Sequence, residues 1–191
     1  PCPDLWAFLN IGCMVEYTMK YDPNQRHRKS IRLTGYDYAS AGIYFITICT
    51  HHRECLFGEV IAGKMRLNQF GTIIRGHWLK LPNHHPHLRL DTFIVMPNHL
   101  HGLLVLEEAI APKGRINLGK PNPQRHGIPE IIRGFKTFSA RQVNRIRQSP
   151  GMPVWQRSYH DRIVRDEIAL ENIRQYIQTN PESWMEDSLY S

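Results

Sequence analysis

Residues 88–106, LRLDTFIVMPNHLHGLLVL, limit the possible folds more than any other part of the chain. Residues 88–96 are rich in β-branched, aromatic and leucine side chains and read as a strand. Pro97-Asn98 breaks that strand, and residues 99–106 read as another. Side chains two apart on a strand leave the same face, so His99 and His101 project together while Leu100 points to the other side and into the core. Two imidazoles on one face can chelate a single divalent cation, and Gly102 leaves room for a phosphate backbone to approach closely. With 11 histidines in the chain, one such spacing also fits ordinary hydrogen-bonded strand histidines, so the surrounding elements have to decide.

Those elements punctuate clearly. Residues 42–50, GIYFITICT, read as a strand, and LFGEV and KMRL read as a hairpin joined through Ala62-Gly63. Asn68 is placed to cap a helix over 69–81 with Phe70, Ile74, Trp78 and Leu81 on one face, ended by Pro82. Pro129 suits the first turn of a helix reaching about Arg147, with Ile131, Phe135, Phe138, Gln142 and Ile146 near one stripe and both phenylalanines expected in the core. Residues 155–164 read as extended. Asp166 is placed to cap a last helix over 167–179, with Ala169, Ile173, Tyr176 and Ile177 recurring at helical spacing, and Pro181 stops it by excluding Asn180 from the helical region. The order predicts an α+β domain, a mainly antiparallel sheet with helices packed on it.

At 191 residues, 41% hydrophobic and 21% charged, the chain fits one globular domain with a full core. Its net charge of +7 is regional: residues 112–165 carry 12 Lys or Arg against Glu130 and Asp161, a local +10 that leaves about −3 elsewhere. Such a concentrated field suits a polyanion such as a nucleic-acid backbone, although solubility alone also produces basic surfaces. Residues 107–127, dense in Pro, Gly, Asn and cations, read as a long flexible loop. Lys113, Arg115, Lys120 and Arg125 of this stretch, with Arg133, Lys136, Arg141 and Arg145 of the following helix, are the expected DNA contacts.

The four cysteines show no CxxC pairing, and no stretch is long and apolar enough to span a bilayer, so a reducing, cytoplasmic setting with no membrane partner is expected. Residues 1–18 read as an upstream extension, because MKYDPNQRHRKS from Met19 looks like a natural start. Residues 19–185 then form one domain with a flexible basic loop at about 107–129, and 186–191 form a tail.

Tyr176 and Asn180 are four residues apart and share a helical face. A phenol with an ordinary pKa of about 10 needs a strongly polarised phosphorus or help in shedding its proton before it can act as a nucleophile. A metal supplies the polarisation, and the Asn180 amide oxygen is a hard ligand able to join the two imidazoles. A core aromatic and a helix stop are the plainer reading of the same pair. Tyr159 is a rival nucleophile beside His160 and Asp161, but on a strand Tyr159 and His160 face opposite ways, so it is read as structural or DNA-contacting. A zinc site made of His99, His101 and a cysteine such as Cys49 ranks low, since structural zinc wants four tight nitrogen or sulfur ligands.

Taken together, FIVMPNHLHGLLVL, IIRGFKTFSARQVNR and VWQRSYHDRIVRDEIALENIRQYIQTNPESW resemble the REP-associated tyrosine transposases, relatives of the single-tyrosine HUH transposases of small insertion sequences. The likeness runs from about Met19 to Trp184. It implies a ferredoxin-like, RRM-like sheet, a His-hydrophobic-His metal motif at His99, Leu100 and His101, a catalytic tyrosine at Tyr176, and Asn180 assisting a divalent metal, Mg²⁺ or Mn²⁺. The implied activity is endonuclease cleavage of single-stranded DNA near a REP-type hairpin through a 5′-phosphotyrosine intermediate with release of a 3′-hydroxyl, followed by strand transfer in DNA transposition and recombination. Insertion-sequence relatives work as homodimers with exchanged helices, REP-associated ones can act as monomers, and the resemblance implies a monomer or a homodimer. The alternative from a different class is a catalytically inactive RRM-like nucleic-acid-binding module.

Overall fold

The computed structural model describes residues 33, 35–108, 126–187, 189 and 190. Lys113, Arg115, Lys120 and Arg125, the extension over residues 1–18 and most of the expected loop lie outside the described residues.

Strand β1 (Gly42–Cys49) is followed by a hairpin of β2 (Gly58–Ile61) and β3 (Lys64–Leu67). Ala62 and Gly63 turn the hairpin at φ 49° and 69°, the left-handed pair that matches the twist of a two-residue turn. Helix α1 (Gln69–Leu79) starts where the Asn68 side chain accepts from the Gly71 N–H. Pro82 does not simply end it: Pro82 opens a separate one-turn helix, α2 (Leu81–His84), because a first-turn proline has no N–H to lose. Strands β4 (Leu88–Val95) and β5 (His99–Leu106) follow, then α3 (Ile128–Ile146), β6 (His160–Val164) and α4 (Glu167–Thr179). Asp166 caps α4 by accepting from the Ala169 N–H.

The main sheet has the order β4-β5-β1-β6, with all three pairings antiparallel. With α1 and α3 as crossovers, the arrangement is ferredoxin-like and α+β, as the sequence predicts. Alternation along β1 and β5 sends Tyr44, Ile46, Ile48, Leu100 and Leu104 to the face covered by α1 and α3. Leu103 faces the other way and joins Val164, Leu170, Ile173 and Ile177 under α4. Fully buried side chains such as Ile46 and Leu104 each contribute roughly 1.5–3 kcal/mol relative to exposure.

Other local expectations change as well. Asn180 keeps helical backbone angles, φ −53° and ψ −39°, although Pro181 follows it, so the proline ends α4 without excluding Asn180 from the helical region. The buried stripe of α3 is Ile128, Ile131, Ile132, Phe135, Ser139 and Val143, which leaves Gln142 exposed, Ile146 partly so and Phe138 59% exposed. A four-residue step from Phe135 lands on Ser139, and that smaller residue accepts the Trp155 indole N–H at 3.0 Å. Gly102 is not a phosphate landing either. It points to the α1 side, where a Cβ would collide with the Trp78 ring. Among the described residues no helix is long and apolar enough to cross a membrane.

Candidate active site

His99 and His101 do leave β5 together, on the α4 face, with ring centroids 4.4 Å apart. Both are buried. Cross-strand register sets their partners. Thr47 lies opposite His101 across β1, and its Oγ1 is 2.8 Å from His101 Nδ1. Asn98 donates from Nδ2 to the Leu189 carbonyl at 2.6 Å, which turns its Oδ1 toward His99 Nδ1 at 2.8 Å. The tautomer with the proton on Nδ1 satisfies both contacts at once and leaves both Nε2 lone pairs facing the site.

Those lone pairs find little to bind. His99 Nε2 is buried without a hydrogen-bond partner, and so is Asn180 Oδ1. The Asn180 amide is oriented by its other end, where Nδ2 donates to Asp187 Oδ2 at 2.7 Å. His101 Nε2 meets the Tyr176 hydroxyl at 3.3 Å. Phe45 stacks on the His101 ring at 5.4 Å and stands edge-on to Tyr176 at 6.3 Å. Helix α4 and its C-terminal cap thus bring Tyr176 and Asn180 to the two strand histidines, so the four residues singled out in the sequence converge within one chain.

Burial shapes the protonation states. It lowers the His99 pKa to about 4, with Asp187 and Asn180 pulling back upward and Arg53 adding slightly to the drop. His101 is held well below the ordinary imidazole value, again by burial and then by His99. Both rings are therefore neutral near pH 7, the form in which an imidazole binds a cation. Burial raises the Tyr176 pKa, Asp187 raises it further, and the Asn180 amide opposes them, so the phenol keeps its proton unless positive charge arrives.

Asp187 was not foreseen. Its carboxylate lies with the two imidazoles, ligand atoms all within 4.8 Å of one another. No local spacing marks it, because it follows Pro181 and a short 3-10 turn (Trp184–Glu186) that folds the chain back. Cys49 pairs opposite His99 across the strands, yet the third ligating group brought close to both histidines is this carboxylate. Two imidazole nitrogens, an amide oxygen and a carboxylate, with two of the atoms orphaned, fit a divalent cation of mixed nitrogen and oxygen preference.

The expected DNA contacts diverge. Arg133, Arg141 and Arg145 are exposed on α3 and form no ion pair with a described residue. Lys136 instead donates to the carbonyls of Gln156, Arg157 and Ser158, and burial lowers its pKa to about 8. Its ammonium holds the segment entering β6 rather than facing outward. Tyr159 packs, partly buried, against the larger core.

A solved structure of a REP-associated tyrosine transposase bound to a REP hairpin is similar, with a TM-score of 0.51 and 16% identity, over 90% of this chain and 74% of that one. The fold is thus the one used by that transposase. No model of a known family matches the chain. An uncharacterised protein of Haemophilus influenzae is 42% identical over 184 residues, which span 91% of this chain and 98% of that protein. The chain belongs to the same family as the Haemophilus protein.

Proposed function

We propose that the protein is a single-tyrosine DNA transposase that cuts and rejoins single-stranded DNA beside a hairpin, with Tyr176 as nucleophile. The observation that carries this reading is the pair of orphaned buried acceptors, His99 Nε2 and Asn180 Oδ1, beside a tyrosine hydroxyl 3.3 Å from His101 Nε2. Two unsatisfied acceptors facing one space are costly unless a cation fills it, and a metal-dependent reaction gives them that use. His99, His101, Asn180 and Asp187 would hold the cation, Mg²⁺ or Mn²⁺. When bound, it supplies positive charge to a nonbridging phosphate oxygen and to the phenolate.

The chain's own residues do the rest. Thr47 and Asn98 fix the ring orientations, and Phe45 walls the phenol. The Tyr176 hydroxyl gives up its proton as its oxygen attacks phosphorus, the P–O3′ bond breaks, and the 3′-oxygen takes up one proton and leaves as a hydroxyl, so no net proton is gained or lost. A phosphodiester is exchanged for a phosphotyrosyl ester, so a returning 3′-hydroxyl reverses the step without ATP. Tyr176 and His101 meet within one chain, which supports a monomer being sufficient for one cleavage.

DNA contact is assigned to the outer side of α3, through Arg133, Arg141 and Arg145. The Arg141 guanidinium sits 5.8 Å from the centre of the exposed Phe138 ring, which offers a face for an unpaired base. Arg141 and Arg145 also line a surface hollow with Asn144 and Gln148.

A denaturing gel tests the reading. Wild-type protein incubated with hairpin oligonucleotides carrying single-stranded flanks and Mn²⁺ forms a covalent adduct. Tyr176→Phe forms none and binds the same hairpins within about twofold. Hairpin binding by the wild type with no Mn²⁺-dependent cleavage would instead favour an inactive RRM-like binder.

A further inference from the structure

Helix α4 carries the nucleophile but sits on a small apolar patch, in which Leu170, Ile173 and Ile177 meet Leu103 and Val164. Its strongest polar tie is elsewhere. Arg174 donates from Nε to Asp91 Oδ1 at 3.1 Å and from Nη2 to Asp91 Oδ2 at 2.8 Å. This is the two-pronged arrangement that fixes direction as well as distance. The Asp91 side chain is only 11% exposed, unlike those of Glu167 and Glu171, which also flank the guanidinium.

Asp91 owes its direction to an irregularity in β4. Leu90 pairs with Leu104 and Phe93 pairs with Gly102, so Asp91 and Thr92 together stand opposite the single residue Leu103. The extra residue breaks the alternation, and Leu90 and Phe93, three apart, both pack on the larger core. Asp91 is freed toward α4, and the Thr92 N–H and hydroxyl hold its Oδ1 at 2.7 and 3.1 Å. One end of the fork is therefore anchored in the sheet. The other lies two residues before Tyr176.

Resting on the transposase reading above, we infer that the Arg174–Asp91 fork is a positioning device that sets the rotation of α4 on the sheet and so delivers the Tyr176 hydroxyl to the histidine site. The Tyr176 hydroxyl meets His101 at 3.3 Å and the Asn180 amide also acts on it, and neither contact fixes the backbone of the helix that carries it. Arg174 and Asp91 touch no reacting atom. A fork between a sheet bulge and the nucleophile's helix resists small rotations of that helix, and a misplacement of about 1 Å costs on the order of 100-fold in rate.

The test compares Asp91→Asn, Arg174→Gln and Arg174→Lys with the wild type at saturating hairpin and Mn²⁺. Adduct formation slows about 10- to 100-fold in the first two. Arg174→Lys falls between them and the wild type, since it keeps the charge and loses the fork. Hairpin affinity and Mn²⁺ affinity stay within about twofold throughout. Hydrogen exchange supplies a readout independent of activity: amides of α4 exchange faster in Asp91→Asn while those of α3 do not change. Wild-type rates, unaltered α4 exchange, or a parallel loss of hairpin and Mn²⁺ binding would each overturn the inference. A wild type that forms no adduct defeats the transposase reading alone, and the exchange measurement still decides the fork.

Discussion

The two faces of the main sheet are built differently. Under α1 and α3, twenty buried residues among those described form one continuous core that takes in Trp78, Phe57 and Trp155. Under α4 five do, flanked by the partly buried Ile43, Phe45 and Ile94, and the same face carries His99, His101, Thr47 and the Asp91–Arg174 pair. A site with orphaned buried acceptors is a local cost to stability. It can be tolerated because the opposite face is packed well enough to hold β1 and β5 rigid, so the strand histidines are fixed while the tyrosine arrives on a lightly held helix.

The largest effect expected from this contrast is on stability. Ile74→Ala removes a fully buried side chain under α1 and costs about 4 kcal/mol, whereas the same change at Ile173 under α4 costs about 2 kcal/mol, both read from denaturant unfolding. Equal costs would erase the distinction between the faces. Next comes a change confined to the site. Thr47→Val keeps shape but strips His101 Nδ1 of its partner, so Mn²⁺ affinity by calorimetry falls about 10- to 100-fold. An unchanged affinity would mean that β1 does not orient the ligand.

The smallest effect is a pH dependence. Arg174 holds the Asp91 carboxyl down to about 2, against an ordinary value near 3.8. A depressed folded pKa means that the contribution is full above the unfolded value and is lost as the pH falls from about 4 toward about 2. The urea midpoint of the wild type should therefore drop more steeply over that window than that of Asp91→Asn. Parallel slopes would show that the fork adds nothing to α4.

What could be read in the sequence was whatever depends on short-range periodicity. The bounds of β5 and α4, the shared face of His99 and His101, and the caps at Asn68 and Asp166 all follow from spacing two or three to four residues apart. What could not be read needs register or a fold-back. Thr47 reaches His101 across 54 positions, and Arg174 reaches Asp91 across 83. Asp187 arrives through a turn with no periodic signal. Phe138 and Gly102 were misplaced for the same reason: helical and strand spacing says which residues share a face, and tertiary packing decides what that face meets. The exposed Phe138 and the carbonyl-bound Lys136 are two outcomes of that decision on one helix.

The central claim concerns one oxygen atom. Digesting the Mn²⁺-dependent adduct with protease and nuclease and sequencing the modified peptide by mass spectrometry should find the nucleotide phosphate on Tyr176, within the peptide that also holds Asn180. A phosphate mapped to Tyr159, or cleavage that leaves only free 5′-phosphate ends and no modified peptide, would contradict it.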